Sequence, residues 1–338
     1  MNLRTLQEER MAENRYEKEP MMHAADGITI TTLVENYVDM LIPNTERVKR
    51  PGLAFHFDPR NKPIQAENGI SLLVDISFAG QNYRILFDAG LSDSVILHNM
   101  SALKISPDII DHAVISHGHP DHYGGLVAVL KARSVPLPVV IHPNAFLTRY
   151  VVAGNGWVIP YYNQSLRKEE LEAAGGRLVL ASQPMQMGPA AFTTGEIPLQ
   201  TPFEPPGPPA GTPSSLRCLK NGKLEEDETA DDLALIVNLK DKGLVVVAGC
   251  AHAGIVNTIR QAQAVSGIKK VHAVFGGFHL GFPGIPEEKS DRTIKELKRL
   301  KPAIVSPMHC SGFKTLAAVA REMPEAFLLN TAGAQITL

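Results

Sequence analysis

Ser116-His117-Gly118-His119-Pro120-Asp121-His122-Tyr123-Gly124-Gly125 is the stretch on which the reading of this chain turns. From His117 to His122 it packs three imidazoles and a carboxylate into six consecutive residues. Imidazole nitrogen and carboxylate oxygen suit zinc, and also iron or manganese. Titratable groups at this density are costly to bury unless a cation organises them. His117 and His119, two apart, can project together from an extended loop. Asp121 and His122 lie where the chain turns toward a helix and can face a second position, so one loop can serve two adjacent metals. Gly118, Gly124 and Gly125 let the backbone turn tightly there. A metal-free, histidine-rich surface loop is the plainer reading, and the density of the motif argues against it.

Upstream of this loop, residues 28–34 (ITITTLV) alternate β-branched side chains and read as a strand. Residues 70–78 and 83–87 read as two more, joined by Ala79-Gly80-Gln81-Asn82, which has hairpin-turn composition. Residues 94–103 have helical spacing, 113–115 form a short buried strand running into the histidine loop, 125–131 a helix and 138–142 a strand. Downstream, 233–239 and 244–248 are strands joined by Lys240-Asp241-Lys242-Gly243. A helix at 256–265, a strand at 271–275, a helix at 290–300, a strand at 303–306, a helix at 313–322 and a strand-like end at 326–338 follow. Strands opening each half, with helices after them, predict an α/β fold: an αββα sandwich of two mixed β-sheets flanked by helices. The domain is expected over 28–338, after an N-terminal tail or short helix at 1–27. Proline and glycine dominate 183–213, as in Phe203-Glu204-Pro205-Pro206-Gly207-Pro208-Pro209. Proline fixes φ and lacks a donor, so this reads as an inserted surface loop, either an irregular linker or a lid, dispensable for the core.

The 338 residues carry 33 Lys and Arg against 35 Asp and Glu, a net charge of -2. No basic excess calls for nucleic acid or an anionic membrane as partner. The N-terminus is charged throughout, and no apolar run approaches the ~20 residues that span a bilayer. A soluble, cytoplasmic protein acting on a small molecule is expected, with homodimer formation left open. Cys218, Cys250 and Cys310 are too few and too odd for a disulfide framework and read as reduced thiols. Two of them sit near histidines.

His-x-His-x-Asp-His between a short apolar strand and a helix, with Phe87-Asp88-Ala89-Gly90 upstream, resembles the signature of the metallo-β-lactamase superfamily. The resemblance runs from about Ile28 to the C-terminus. Ala66-Glu67-Asn68-Gly69-Ile70-Ser71, the run from Lys242 to Asn257, Gly276-Gly277-Phe278-His279-Leu280 and Pro307-Met308-His309-Cys310-Ser311-Gly312 narrow it to dihydropterin ribofuranosyl-aminobenzene phosphate synthase-like hydrolases. This implies His117, His119, Asp121, His122 and His309 as metal ligands. It also implies that Asp88 supports the metal loop by hydrogen bonding without ligating. Two departures stand out. Where most members carry a bridging aspartate after glycine, this chain has Gly249-Cys250; Cys250 is either a thiolate ligand or a buried small hydrophobe. If it does not ligate, the second metal site should be the weaker one. His252 could supply the missing donor, or contact substrate or the ligands. The superfamily's third-motif histidine is also absent. Glu228 falls closest by count in the acidic run from Glu225 to Asp232, a run whose plain reading is a solvated turn; Asp232 reads as a cap before a strand. His279, after paired glycines, is read as a ligand or a substrate-touching group. Asp121, His252 and His279 are the candidate catalytic residues. The run 157–162, with the single tryptophan, either lines an apolar pocket or packs under a loop. His23, His56, His98, His112, His142 and His272 are isolated and are given no chemistry.

The function expected is that of a metal-dependent hydrolase with one or two divalent ions, zinc first and manganese or iron as alternatives. An activated water would attack an ester, lactone, amide or phosphoester. Two other classes stay open: an iron-dependent redox or sulfur-transfer protein on the same fold, and a non-catalytic binding protein with a degenerate metal site.

Overall fold

A computed structural model describes residues 22–161, 166–204 and 214–338. The alternation along Gly27–Val34 pairs that strand antiparallel with Ser71–Phe78, which turns back into Gln81–Phe87. The turn is Ala79-Gly80, both at positive φ, as a two-residue hairpin requires. One sheet has eight strands in the order Val48–Lys49, Gln335–Thr337, Gly27–Val34, Ser71–Phe78, Gln81–Phe87, His112–Ile115, Leu137–Ile141 and Gly176–Leu180. A second has six: Gln186–Gly188, Ala191–Thr193, Ala234–Leu239, Gly243–Ala248, Val271–Gly277 and Ile304–Met308.

The central strands are buried on both faces, which explains why they read as nearly continuous apolar runs. Between the sheets, Leu72, Val74 and Phe87 meet Leu235, Val247 and Phe275 in one cluster. On the outer face of the first sheet, Leu73, Leu86 and Ile115 pack against Ile96 and Leu126 of helices Asp93–Ala102 and Leu126–Lys131. On the outer face of the second, Val274 and Val305 pack against Ile259, Leu297 and Val319. These come from helices Ile255–Ser266, Glu287–Leu300 and Gly312–Glu322. Each buried aliphatic side chain contributes about 1.5–3 kcal/mol. The result is the expected αββα sandwich.

This topology places the site. Gln81–Phe87, His112–Ile115 and Leu137–Ile141 run parallel, as do Gly243–Ala248, Val271–Gly277 and Ile304–Met308. Asp88, the histidine loop, Cys250, His279 and His309 all follow the carboxyl ends of these parallel strands, where α/β sheets gather their ligands.

Three features depart from the sequence reading. The proline-rich stretch is not all loop: Gln186–Gly188 and Ala191–Thr193 pair at the edge of the six-stranded sheet, with Met187, Ala191 and Phe192 buried. Strands of three residues flanking Gly188-Pro189 are too short for alternation to show. Residues 205–213 lie outside the described residues, as do 1–21 of the N-terminal segment; Ala25 is buried and bridges Leu239. A third sheet, in the order Lys223–Glu226, Ser214–Lys220, Arg149–Ala153 and Val158–Pro160, was not anticipated. Finally, Trp157 is 70% exposed at the turn of one of its hairpins, so it does not pack under a loop. Among the described residues no helix is long and apolar enough to cross a membrane.

Candidate metal centre

Asp88 leaves its strand at φ +58, in the left-handed region. That turn brings the carboxylate under the histidine loop. Its Oδ1 accepts from Ser116 N at 2.7 Å, and its Oδ2 from Ser116 Oγ at 2.8 Å and from His122 Nδ1 at 2.7 Å. Ser116 Oγ, with its proton given to Asp88, accepts from His117 Nδ1 at 2.9 Å. His309 Nδ1 lies 3.2 Å from Asn36 Oδ1, and the Asn36 amide donates back to His309 O. A neutral imidazole has one N–H, so a committed Nδ1 leaves Nε2 as the lone-pair nitrogen. Three of the predicted ligand histidines are thereby held in a ligating tautomer.

The free nitrogens converge. His117 Nε2 is 3.2 Å from His252 Nε2, and His122 Nε2 is 3.1 Å from Cys250 Sγ. The His119 and His252 rings are 4.7 Å apart between centroids. His309 Nε2 is 3.1 Å from Asp121 Oδ2, without the alignment of a hydrogen bond. His117, Cys250 and His252 offer ligand atoms within 4.8 Å of one another, and so do His122, Cys250 and His309. His119 Nε2, Asp121 Oδ1 and His309 Nε2 are buried with no hydrogen-bond partner. Burial, and then the neighbouring imidazoles, hold His117 and His252 well below the usual histidine range, in the neutral form that ligates. Burial works against the Asp121 charge, but His122 and His309 outweigh it and keep the carboxylate ionised. Unpartnered nitrogen and oxygen atoms, with the Cys250 thiol beside them, form a buried donor set that fits a divalent cation. Burial opposes the His309 charge, but Asp121 raises its pKa to about 9, so a cation there would displace a proton.

His117, His119, Asp121, His122, Cys250, His252 and His309 come together, and His279 stacks beside His252 at 4.1 Å. Asp88 sits under the loop. Glu228 does not join them; it is exposed. The buried neighbour is Asp227, 3.9 Å from His119 Nε2. Asp232 accepts from Ala253 N at 3.0 Å, so it holds the Cys250–His252 segment.

Arg149 was missed altogether. It is 4% exposed and ties the third sheet to the histidine loop through Asp227, Asp231 and Gly118 O. Asp231 in turn accepts from Gly118 N. Gly118 has to be glycine, since a Cβ there would collide with the Ala145 carbonyl. A lone arginine in an apolar strand (RYVVA) was the available signal.

Residues 69–212 match the family profile of the metallo-beta-lactamase superfamily. With a relative of 35% identity along nearly its whole length, the chain belongs to that superfamily, whose members usually bind metal ions. That relative is 7,8-dihydropterin-6-methyl-4-(beta-D-ribofuranosyl)-aminobenzene-5'-phosphate synthase of Methanocaldococcus jannaschii, aligned over 288 residues, 85% of this chain and 96% of the relative. The uncharacterized protein MJ0448 of the same organism is 32% identical over 260 residues, 77% of this chain and 90% of the relative. Among solved structures, Tm1679, described as a metal-dependent hydrolase of the beta-lactamase superfamily, matches with a TM-score of 0.66 and 25% identity, covering 92% of this chain and 98% of that one.

Proposed function

We propose that this protein is a metal-dependent hydrolase of a small molecule, with zinc as its first-choice cation. One cation position is framed by His117, His119 and His252, the second by Asp121, His122 and His309, and Cys250 lies between them. His252 then stands in for the absent third-motif histidine, and Cys250 for the absent bridging aspartate. The observation that carries this reading is the set of orphaned buried atoms, His119 Nε2, Asp121 Oδ1 and His309 Nε2. Each would cost about 1–3 kcal/mol left unsatisfied; cations at the two positions would take the imidazole nitrogens and leave Asp121 Oδ1 for a water proton.

A divalent cation held there supplies Lewis acidity, which brings the pKa of water toward neutral and polarises the bond under attack. The chain's own groups do the rest. Asp88, Ser116 and Asn36 fix the imidazole tautomers. Asp121 offers its unpartnered Oδ1 to a proton of the attacking water. His279 is only partly buried and packs against Phe282, which is 49% exposed, so this pair lines the approach of a substrate. Esters, lactones, amides and phosphoesters are the substrate classes. A second reading rests on the 35% identity to the named synthase: the chain forms the product in that relative's name.

Zinc-loaded protein should hydrolyse at least one member of an ester, lactone, amide and phosphoester panel, lose that activity to a chelator and regain it with zinc. Metal-replete protein that turns over none of them contradicts the hydrolase reading, and formation of the relative's product would put the second reading in its place.

A further inference from the structure

Cys250 has a second thiol for a neighbour. Cys310 follows His309 directly and is carried inward by the turn His309–Ser311, so that its Sγ lies 3.6 Å from Cys250 O. Cys250 Sγ, Cys310 Sγ and a His279 ring nitrogen all lie within 4.8 Å of one another. Neither cysteine is in a disulfide. His279 Nδ1 is buried without a hydrogen-bond partner, and the residue holds φ +49. That left-handed conformation costs a non-glycine residue about 1–2 kcal/mol, and the fold maintains it. Gly277 makes the room: a Cβ there would overlap Cys310 Sγ. The three segments are stitched by Gly277 N to Gly249 O at 2.7 Å, Phe278 N to Ser311 Oγ at 2.9 Å and Gly281 N to Cys310 O at 3.0 Å. Cys310 and His279 have no ligand role in the imidazole and carboxylate centre described above.

We propose that Cys250, His279 and Cys310 form a thiolate-bearing cation subsite, joined to the imidazole centre through Cys250. Thiolate donors select zinc or ferrous iron over magnesium or calcium. A tetrahedral ion with metal–sulfur bonds of about 2.3 Å and metal–nitrogen bonds of about 2.0 Å needs sulfurs about 3.8 Å apart and sulfur–nitrogen separations of about 3.5 Å. No pair of the trio is more than 4.8 Å apart, so any closing to that arrangement is by about 1.3 Å at most. Three protein donors leave a fourth position for water or a soft donor on a substrate. The inference rests on the metal-centre reading, since Cys250 belongs to both.

Cobalt(II) loaded into the full chain separates the two. Visible ligand-field bands report a bound cation, and near-ultraviolet charge-transfer absorption reports thiolate. Cys310→Ser should reduce the charge-transfer intensity by about half, one of two thiolate ligands being lost, and Cys250→Ser/Cys310→Ser should abolish it. Visible bands with charge transfer unchanged in Cys310→Ser would overturn the subsite and leave the imidazole centre standing; no bound cobalt would overturn both. X-ray absorption on the zinc-loaded wild type needs no variant. It should show two sulfurs per chain at about 2.3 Å, and one or none would refute the proposal.

Discussion

Replacing Arg149 by alanine probes how the loop bearing His117 and His119 is held. Arg149 Nε donates to Asp227 Oδ2 at 2.6 Å, Nη2 to the two Asp231 oxygens at 2.9 and 3.0 Å, and Nη1 to Gly118 O at 3.1 Å and Ala145 O at 3.3 Å. The substitution strands two buried carboxylates. Burial opposes the Asp227 charge, and the carboxyl is nonetheless held well below its usual range because His119 and Arg149 outweigh that penalty. Deleting one partner of a buried ion pair costs about 3–5 kcal/mol, so metal-free Arg149→Ala should lose about that much in urea unfolding analysed by linear extrapolation. Zinc affinity, measured by chelator competition, should fall about 10–100-fold, as it does when support behind ligands is removed. Arg149→Met/Asp227→Asn/Asp231→Asn, which leaves no charge uncompensated, should recover most of the stability. A loss under about 1 kcal/mol for Arg149→Ala, within the range of an ordinary surface change, with zinc affinity intact, would refute the reasoning.

Two further predictions concern parts of the fold that composition hides. Glu204 accepts from Val256 N and Asn257 N at 3.0 Å each, at the start of Ile255–Ser266. Glu204→Ala should therefore cost about 1–2 kcal/mol, as lost caps do; an unchanged Tm would contradict this, and excising 183–204 should be worse rather than neutral. Asp232 is raised to about 7 from a reference of 3.8, by burial first and then by Asp231. Between those values the folded chain keeps a proton that the unfolded chain has released, so stability falls as pH rises through that window, by at most about 1.4 kcal/mol per pH unit, and levels off above it. Metal-free Asp232→Asn should lose that slope, and parallel wild-type and variant profiles from pH 4 to 7 would count against it.

The histidine loop was legible as a candidate site because its signal is local: His117 to His122 needs no partner elsewhere to be recognised. The two main sheets were legible because their strands are long enough for alternation or apolar runs to register. What stayed hidden was short or distant. Lys223–Glu226 is exposed along its length and carries no period, and Gln186–Gly188 and Ala191–Thr193 are three residues each. Arg149 and Asp231 are 82 residues apart and meet only through a sheet the sequence did not reveal. Counting back from Gly249-Cys250 chose Glu228 over Asp227, and in a tight turn a single position separates an exposed side chain from one beside His119. Cys250 lies 3.1 Å from His122 Nε2, and the His252 ring lies against those of His117 and His119, proximities that span more than a hundred residues and that no local pattern carries.

The central claim is that His117, His119 and His252, with Asp121, His122, His309 and Cys250 beside them, form a metal centre. Anomalous diffraction at the zinc edge, from crystals of metal-replete protein, tests it most directly. The account predicts a peak about 2.0–2.1 Å from Nε2 of His117, His119 and His252. A histidine loop with no peak and its imidazoles turned apart would contradict it.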